Sequence, residues 1–166
     1  ETDDFIYTFT WDIQNTSKTD ANDSNTAKLI KVKSIKDATS VSIGTTISVK
    51  YKPSGSSKAK TYTLRIMEIG DGTNLVIDNQ GSKPITKLTL GSNVKKINAN
   101  AFKNFTELTT LVFSSSCKVE TIGESAFQDC TSLQTIEFGD TTNTIPTTIN
   151  SPTTTIIFFH IFFKII

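Results

Sequence analysis

The sequence contains two copies of one motif, and the second copy follows the first at a constant offset of 25 residues. Residues 94–113 (VKKINANAFKNFTELTTLVF) align with residues 119–138 (VETIGESAFQDCTSLQTIEF). A strand from an earlier, partial copy precedes them at residues 85–90 (ITKLTL). A single unit of this length cannot bury its apolar face alone, so tandem units stack on their neighbours. The repeat therefore predicts one elongated, β-rich solenoid.

Each copy is predicted to contribute one short strand, and the strands are predicted to lie side by side. Side chains alternate between the two faces of a strand, so Leu88, Leu111 and Ile136 form one buried row. Phe102 and Phe127 form a second buried row. The intervening positions point outward in two rows, namely Lys87, Thr110 and Thr135 in one and Thr89, Val112 and Glu137 in the other.

The second copy resembles the BspA-like leucine-rich repeats, in which a "V..I...AF..C.sL" stretch lies between two strands. Eight positions fit that motif residue by residue: Val119, Ile122, Gly123, Ala126, Phe127, Cys130, Ser132 and Leu133. The first copy departs from it at Asn98, Phe105 and Glu107, where Gly, Cys and Ser are usual. The resemblance implies a short leucine-rich-repeat solenoid with one strand plus a turn or short helical segment per repeat.

An irregular β-strand region is predicted before the repeats. Residues 5–11 alternate as a strand does, and residues 38–43 and 61–70 look like strands of a degenerate leading repeat. The Pro, Gly and Ser content of residues 52–58 predicts a hairpin tip, and the polar residues 15–25 predict a mobile loop. We divide the chain into three parts: a β-rich N-terminal region or degenerate leading repeats at 1–80, the repeats at 81–138, and an atypical C-terminal repeat or cap with an apolar tail at 139–166.

The charges argue against a nucleic-acid partner. Seventeen basic and sixteen acidic residues give a net charge of +1, so the chain as a whole has no field that would attract a polyanion. Arg65 is the one arginine, and arginine is the residue that reads phosphate and guanine through paired hydrogen bonds.

No catalytic, cofactor-binding or metal site is expected. The single histidine, His160, has no acidic residue close to it in sequence, so a nucleophile, base and orienting acid cannot be assembled from neighbouring residues. Cys117 and Cys130 lack the spacing of a zinc site. The two cysteines are either free thiols, with Cys130 as a small buried apolar residue, or partners in one disulfide.

The apolar tail at residues 156–166 has two interpretations. Its eleven residues, interrupted by His160 and Lys164, fall short of the roughly 20 that a membrane-spanning helix needs. It is either a final strand or cap on the core, or an exposed segment that anchors the chain or drives self-association.

The resemblance implies an extracellular or cell-surface protein that binds a protein partner, such as a host matrix or cell-surface protein. The candidate protein-binding positions are then Lys87, Thr89, Thr110, Val112, Thr135 and Glu137, since folding has already ordered such an outward face. The alternative is a structural or self-associating solenoid segment without its own ligand site, in which these are ordinary solvated strand positions.

Overall fold

A computed structural model describes residues 5–22, 24–34, 38–79, 83–139 and 148–149. These residues form strands and turns, and none of them lies in a helix, so this part of the chain holds no helix that could cross a membrane. The strands are β1 Phe5–Ile13, β2 Asn25–Ser34, β3 Ser40–Ile43, β4 Thr46–Tyr51, β5 Lys60–Ile69, β6 Ile77–Asn79, β7 Lys87–Leu90, β8 Lys96–Ile97, β9 Thr110–Phe113, β10 Thr121–Ile122, β11 Thr135–Phe138 and β12 Thr148–Ile149.

The strands form two sheets that share one apolar core. The eight-stranded sheet has the order β1-β2-β5-β8-β10-β12, with β4 paired to β5 and β6 paired to β2. The four-stranded sheet has the order β11-β9-β7-β3, and all its strands are parallel. Buried residues of both sheets belong to a single cluster. The predicted β-rich fold with stacked repeat strands is confirmed.

Each repeat contributes a strand to both sheets. The four-residue strands β7 and β9 enter the four-stranded sheet, and the two-residue strands β8 and β10 that follow them enter the eight-stranded sheet. Ile69 at the end of β5 pairs with Ile97, which pairs with Ile122, so these isoleucines form a buried row of their own. The second strand of each repeat, which the sequence did not reveal, closes the core on its other side.

Stacked aromatic rings form part of the apolar core. The centroids of Phe102 and Phe127 are 5.2 Å apart, and those of Phe113 and Phe138 are 5.3 Å apart. Leu88, Leu111 and Ile136 lie in register on neighbouring strands and are buried. Both predicted apolar rows are therefore present.

Val76 takes the place of the phenylalanine in the leading repeat. Its N–H donates to the Ala101 carbonyl at 2.8 Å, just as the Phe102 N–H donates to the Ala126 carbonyl at 2.8 Å. Val76 is fully buried. The phenylalanine row therefore continues upstream with a smaller side chain.

The region before residue 80 joins the repeat stack at two strands. β3 pairs with β7 over four residues, and the end of β5 pairs with β8. β4, which lies between β3 and β5 in the chain, forms an antiparallel hairpin with β5. The predicted loop 52–58 is at the tip of this hairpin. The leading segment thus has one strand in each sheet, as a repeat does, with a long hairpin inserted.

Two departures from the family motif have clear structural roles. The Asn98 side-chain amide donates to the Gly70 carbonyl at 2.8 Å and to Glu68 Oε2 at 3.1 Å, which links it to the preceding repeat. Phe105 packs against the core, so an apolar side chain replaces the usual Cys at that position.

The prediction of a mobile loop at residues 15–25 was wrong for Asn25, the last residue of that range. Asn25 is fully buried, and its side chain accepts a hydrogen bond from the Asn15 N–H at 2.9 Å. Its amide donates to the Asn15 and Lys18 carbonyls at 3.0 and 2.9 Å. One side chain thereby satisfies three main-chain groups and holds the loop against the body, which composition alone could not indicate.

The two cysteines are free thiols, so a disulfide between Cys117 and Cys130 is excluded. Cys130 is buried, its Sγ lies 3.2 Å from the Phe102 carbonyl oxygen, and burial raises its pKa to about 12. Cys130 therefore acts as the small core residue that the motif predicts. The tail at residues 156–166, including His160, lies outside the described residues.

Candidate protein-binding surface

The six candidate residues lie together on the outward face of the four-stranded sheet. Strand pairing places Lys87, Thr110 and Thr135 in one row. The same pairing places Thr89, Val112 and Glu137 in the next row. Both rows have the composition that the repeat alignment predicted.

The burial pattern agrees with this placement. Along β9, Thr110 and Val112 are half-buried, whereas Leu111 and Phe113 between and after them are buried. β7 alternates in the same way, with Lys87 exposed. The outward side chains are therefore accessible while their neighbours are fixed in the core.

Sequence reasoning missed two residues of this face. Ser40 pairs with Lys87 and Ser42 pairs with Thr89, so β3 extends both rows by one strand. Both serines are exposed. The alternation in residues 38–43 was a usable signal, but without the pairing of β3 and β7 it could not be placed in the same sheet.

An ion pair crosses the face diagonally. Lys87 Nζ lies 3.5 Å from Glu137 Oε2, and the two side chains are 46 % and 49 % exposed. They belong to different rows and are separated by the whole of β9. An exposed pair of this kind contributes about 0–1 kcal/mol to stability, so it adds little to the fold.

Main-chain hydrogen bonds at the start of the strands fix their register. The Thr39 carbonyl accepts from the N–H groups of Thr86 and Lys87 at 2.8 and 3.2 Å. The Thr86 carbonyl accepts from Thr109 and Thr110 at 2.8 and 3.0 Å. The Thr109 hydroxyl also donates to the Thr86 carbonyl at 3.0 Å. This ladder sets the register of the outward rows before any partner binds.

The outward rows carry Ser, Thr, Val, Lys and Glu side chains. Among the residues that the structure describes, no group of three or more His, Cys, Asp or Glu side chains could hold a metal ion. A cleft of about 190 Å³ is lined by residues including Leu75, Ile85 and Phe105, none of which belongs to the outward rows. What the face presents is an ordered array of hydroxyl, methyl and charged groups.

Comparison with known proteins identifies the repeats. The BspA type leucine rich repeat region matches residues 79–161 as six copies, which is half of the 166 residues. No curated protein matches the chain.

One solved structure, a leucine rich cell surface protein from Faecalibacterium prausnitzii A2-165, is similar with a TM-score of 0.48 and 19 % sequence identity. The match covers 88 % of this chain and 41 % of that protein. The chain therefore spans less than half the length of that protein.

Proposed function

Because the chain belongs to the BspA-type leucine-rich repeat family, we propose that it is a non-enzymatic protein-binding or adhesion module of a secreted or cell-surface protein. Its partner, such as a host matrix or cell-surface protein, contacts the outward face of the four-stranded sheet. The observation that carries this proposal is the alignment of two outward rows across four parallel strands.

Preorganisation is what suits this face to binding. A partner that meets an already ordered sheet avoids the ordering cost of about 0.5–1.5 kcal/mol for each mobile side chain that would otherwise be immobilised. The half-buried Val112 supplies an apolar contact near the middle of the face, and threonine hydroxyls surround it. Lys87 on β7 and Glu137 on β11 reach across β9 to form the ion pair.

The size of the face limits its affinity. Four strands about 4.8 Å apart, each four residues long at about 3.3 Å per residue, present roughly 250 Å². A standard stable interface buries about 800 Å² on each partner. We therefore expect micromolar or weaker binding by these strands alone, and tighter binding when further repeats extend the sheet.

A matched pair of substitutions tests the face. Thr110→Arg places a large side chain on the outward face of β9, and Thr121→Arg places one on β10 of the other sheet, where Thr121 is equally half-buried. Surface plasmon resonance against a panel of purified matrix and host-surface proteins measures the effect. Any specific binding should weaken at least about tenfold in Thr110→Arg, which corresponds to 1.4 kcal/mol, and should persist in Thr121→Arg. Equal loss in both variants, or loss only in Thr121→Arg, would move the site off this sheet.

Because Lys87 and Glu137 form an ion pair, the role of their charges in binding must be tested with single and double reversals. Reversing Lys87 and Glu137 together exchanges the partners and can restore the contact, so unchanged binding in Lys87→Glu/Glu137→Lys would not be informative alone. The single reversals each leave two like charges in proximity. We expect each single variant to bind more weakly than the double variant, a non-additive pattern that reports the pair itself.

The alternative function, a structural or self-associating segment, has its own test. It depends on the apolar run at residues 156–166, which would drive association if exposed. Light scattering on the intact chain and on a chain ending at Thr155 separates the two. A monomeric intact chain contradicts self-association, whereas an oligomer that dissociates on truncation supports it.

A further inference from the structure

The basic residues of this chain are unevenly distributed. Residues 38–67 contain five of the seventeen basic residues and none of the sixteen acidic ones. The rest of the chain is therefore net negative, although the whole chain carries only +1. The net charge of the whole chain conceals a local concentration of positive charge.

Four of these residues lie at the end of the β4–β5 hairpin: Lys50, Lys52, Lys58 and Lys60. All four are exposed, and none of them forms an ion pair with a described residue. Tyr51, which is 38 % exposed, stands between the first two. Four uncompensated charges on one hairpin create a positive potential that their neighbours on the hairpin do not cancel.

The hairpin displays its charge on both faces. In the strand register Lys50 pairs with Thr61, while Tyr51 pairs with Lys60. Neighbouring residues on a strand face opposite ways, so Lys50 lies on one face and Lys60 on the other. Lys60 shares its face with Tyr62, whose side chain is fully buried nearer the body. The tip is thus a narrow extension with positive charge on each side.

The hairpin is firmly held at its base and closed by a defined turn at its tip. The Tyr62 hydroxyl donates to the Thr16 carbonyl at 3.1 Å, and its ring contacts that of Tyr51 edge-on at 6.1 Å. At the tip the Ser56 N–H donates to the Pro53 carbonyl at 3.0 Å. Gly55 supplies the φ of 79° that the third position of a type II turn requires. The lysines therefore project from an ordered scaffold.

We propose that this hairpin, residues 50–60, is a docking site for a linear sulfated polysaccharide. The site is separate from the outward face of the four-stranded sheet, and its test does not depend on the function proposed for that face. Lys50 and Lys60 lie in the paired strands, and Lys52 and Lys58 lie just beyond the strand ends. Positive charge therefore continues along both arms to the tip, where a polymer with several anionic groups per disaccharide can contact it. The serines and glycine of the tip offer hydroxyl and main-chain hydrogen bonds to sugar hydroxyls and sulfates.

The geometry favours a linear polysaccharide over a folded acidic partner. A folded protein surface meets one face of the hairpin, whereas a narrow linear polymer can run across the tip, where Lys52 and Lys58 lie beyond the paired strand residues. Nucleic-acid binding to single strands relies on aromatic stacking platforms, and the one aromatic side chain at the tip, Tyr51, already contacts Tyr62. All four cations are lysines, which act as point charges rather than as paired hydrogen-bond donors.

Two variants with the same charge change test the site. One replaces Lys50, Lys52, Lys58 and Lys60 with Gln. The control replaces Lys33, Lys96, Lys103 and Lys118 with Gln, which removes the same number of charges from dispersed positions. A third variant with Arg at the four hairpin positions keeps the charge. Thermal melting of all three establishes that each is folded before binding is compared.

The measurement is binding of the intact chain to heparin at several salt concentrations, with hyaluronate, a single-stranded oligonucleotide and polyglutamate as competing probes. We expect heparin affinity to fall at least about tenfold in the Gln hairpin variant, and the slope of log affinity against log salt to decrease by about 3 as counterion release is lost. The control and the Arg variant should bind as the natural chain does. Equal loss in the control variant overturns the proposal. Tighter binding to the oligonucleotide or to polyglutamate than to heparin overturns the assignment of a polysaccharide.

Discussion

Replacing Gly91 with Ala should destabilise the protein through one backbone contact. The turn after β7 lies directly on the turn after β3, and a Cβ on Gly91 would stand 2.6 Å from the Gly44 carbonyl oxygen and 2.8 Å from the Gly44 carbonyl carbon. Both contacts are with main chain, which cannot rotate away. The backbone of Gly91 itself is not in the left-handed region, so the contact alone makes Ala unfavourable.

The magnitude follows from how far the turns must separate. Relieving the contact requires a shift of several tenths of an ångström between neighbouring repeats, and overpacking of this kind costs about 1–3 kcal/mol. Weakening an adjacent backbone hydrogen bond adds about 1 kcal/mol to the loss. Ala also restricts the unfolded chain more than Gly does, which stabilises the folded state by about 0.4–1 kcal/mol and reduces the loss by that amount. The expected net loss is about 1–3.6 kcal/mol, or about 2–14 °C in Tm for a chain of this size.

Gly44 provides a matched control in the same stack. A Cβ at Gly44 would have its nearest neighbour, the Thr46 carbonyl oxygen, at 3.9 Å, which is ordinary contact. Gly44→Ala should therefore be neutral or stabilising by up to about 1 kcal/mol. Urea unfolding followed by far-ultraviolet circular dichroism measures both variants. Equal stabilities for Gly91→Ala and Gly44→Ala would refute the close stacking of these turns.

Three further perturbations test other parts of the structure. Asn25→Ala leaves three main-chain groups without their partner. It should lower the free energy of unfolding, measured in urea, by about 3 kcal/mol. A loss below about 1 kcal/mol would contradict the anchoring role of Asn25. Burial raises the pKa of Cys130 to about 12, so this thiol should resist a thiol reagent in the folded chain at pH 8 and react only after unfolding. Peptide mass spectrometry measures the labelling of Cys130. Equal labelling rates in the folded and unfolded states would contradict its burial. Burial raises the pKa of the Glu68 carboxyl, but hydrogen bonds from Asn98 and Lys28 and the lysine charges lower it further than burial raises it. The ionised Glu68 side chain therefore stabilises the folded state at pH values above the ordinary pKa of a glutamate. This stabilisation is lost as the pH falls through the lower pKa that Glu68 has in the folded state. Acid should destabilise the natural chain more than Glu68→Gln, and identical acid profiles would contradict the assignment.

The repeat offset was sufficient to predict the rows of the four-stranded sheet. A constant spacing of 25 residues forces equivalent positions into equivalent places, so Thr110 beside Thr135 followed directly from the alignment. The alternation of Leu111, Val112 and Phe113 then decided which side chains face outward. Both inferences need only the repeat and the two-residue period of a strand.

Several features could not be predicted because they depend on contacts between distant segments. The strands β8 and β10 are two residues long, too short for any periodicity to be seen. Asn25 lies in a polar sequence, and its burial depends on the path of residues 15–18 around it. Val76 replaces a phenylalanine of the repeat without matching the motif, and only its hydrogen bond to Ala101 places it in the row.

The hairpin charge shows why a whole-chain sum can mislead. The net charge of +1 correctly describes the long-range field, which gave no reason to expect an anionic partner. The four hairpin lysines lie within eleven residues of sequence. The pairing of β4 with β5, in which Lys50 is opposite Thr61 and Tyr51 is opposite Lys60, brings the two arms that carry them together. Topology therefore concentrates the local field.

The fold and the proposed binding face both depend on the register of the four-stranded sheet, which engineered disulfides measure directly. In a Cys117→Ala background, Thr110→Cys with Thr135→Cys joins paired positions, whose Cα atoms are about 4.8 Å apart on neighbouring strands and within bridging distance. Thr110→Cys with Glu137→Cys joins positions two residues out of register, at about 8 Å, beyond that distance. Rapid oxidation is expected of the first pair alone, and preferential bridging of the second pair would contradict the register of the sheet.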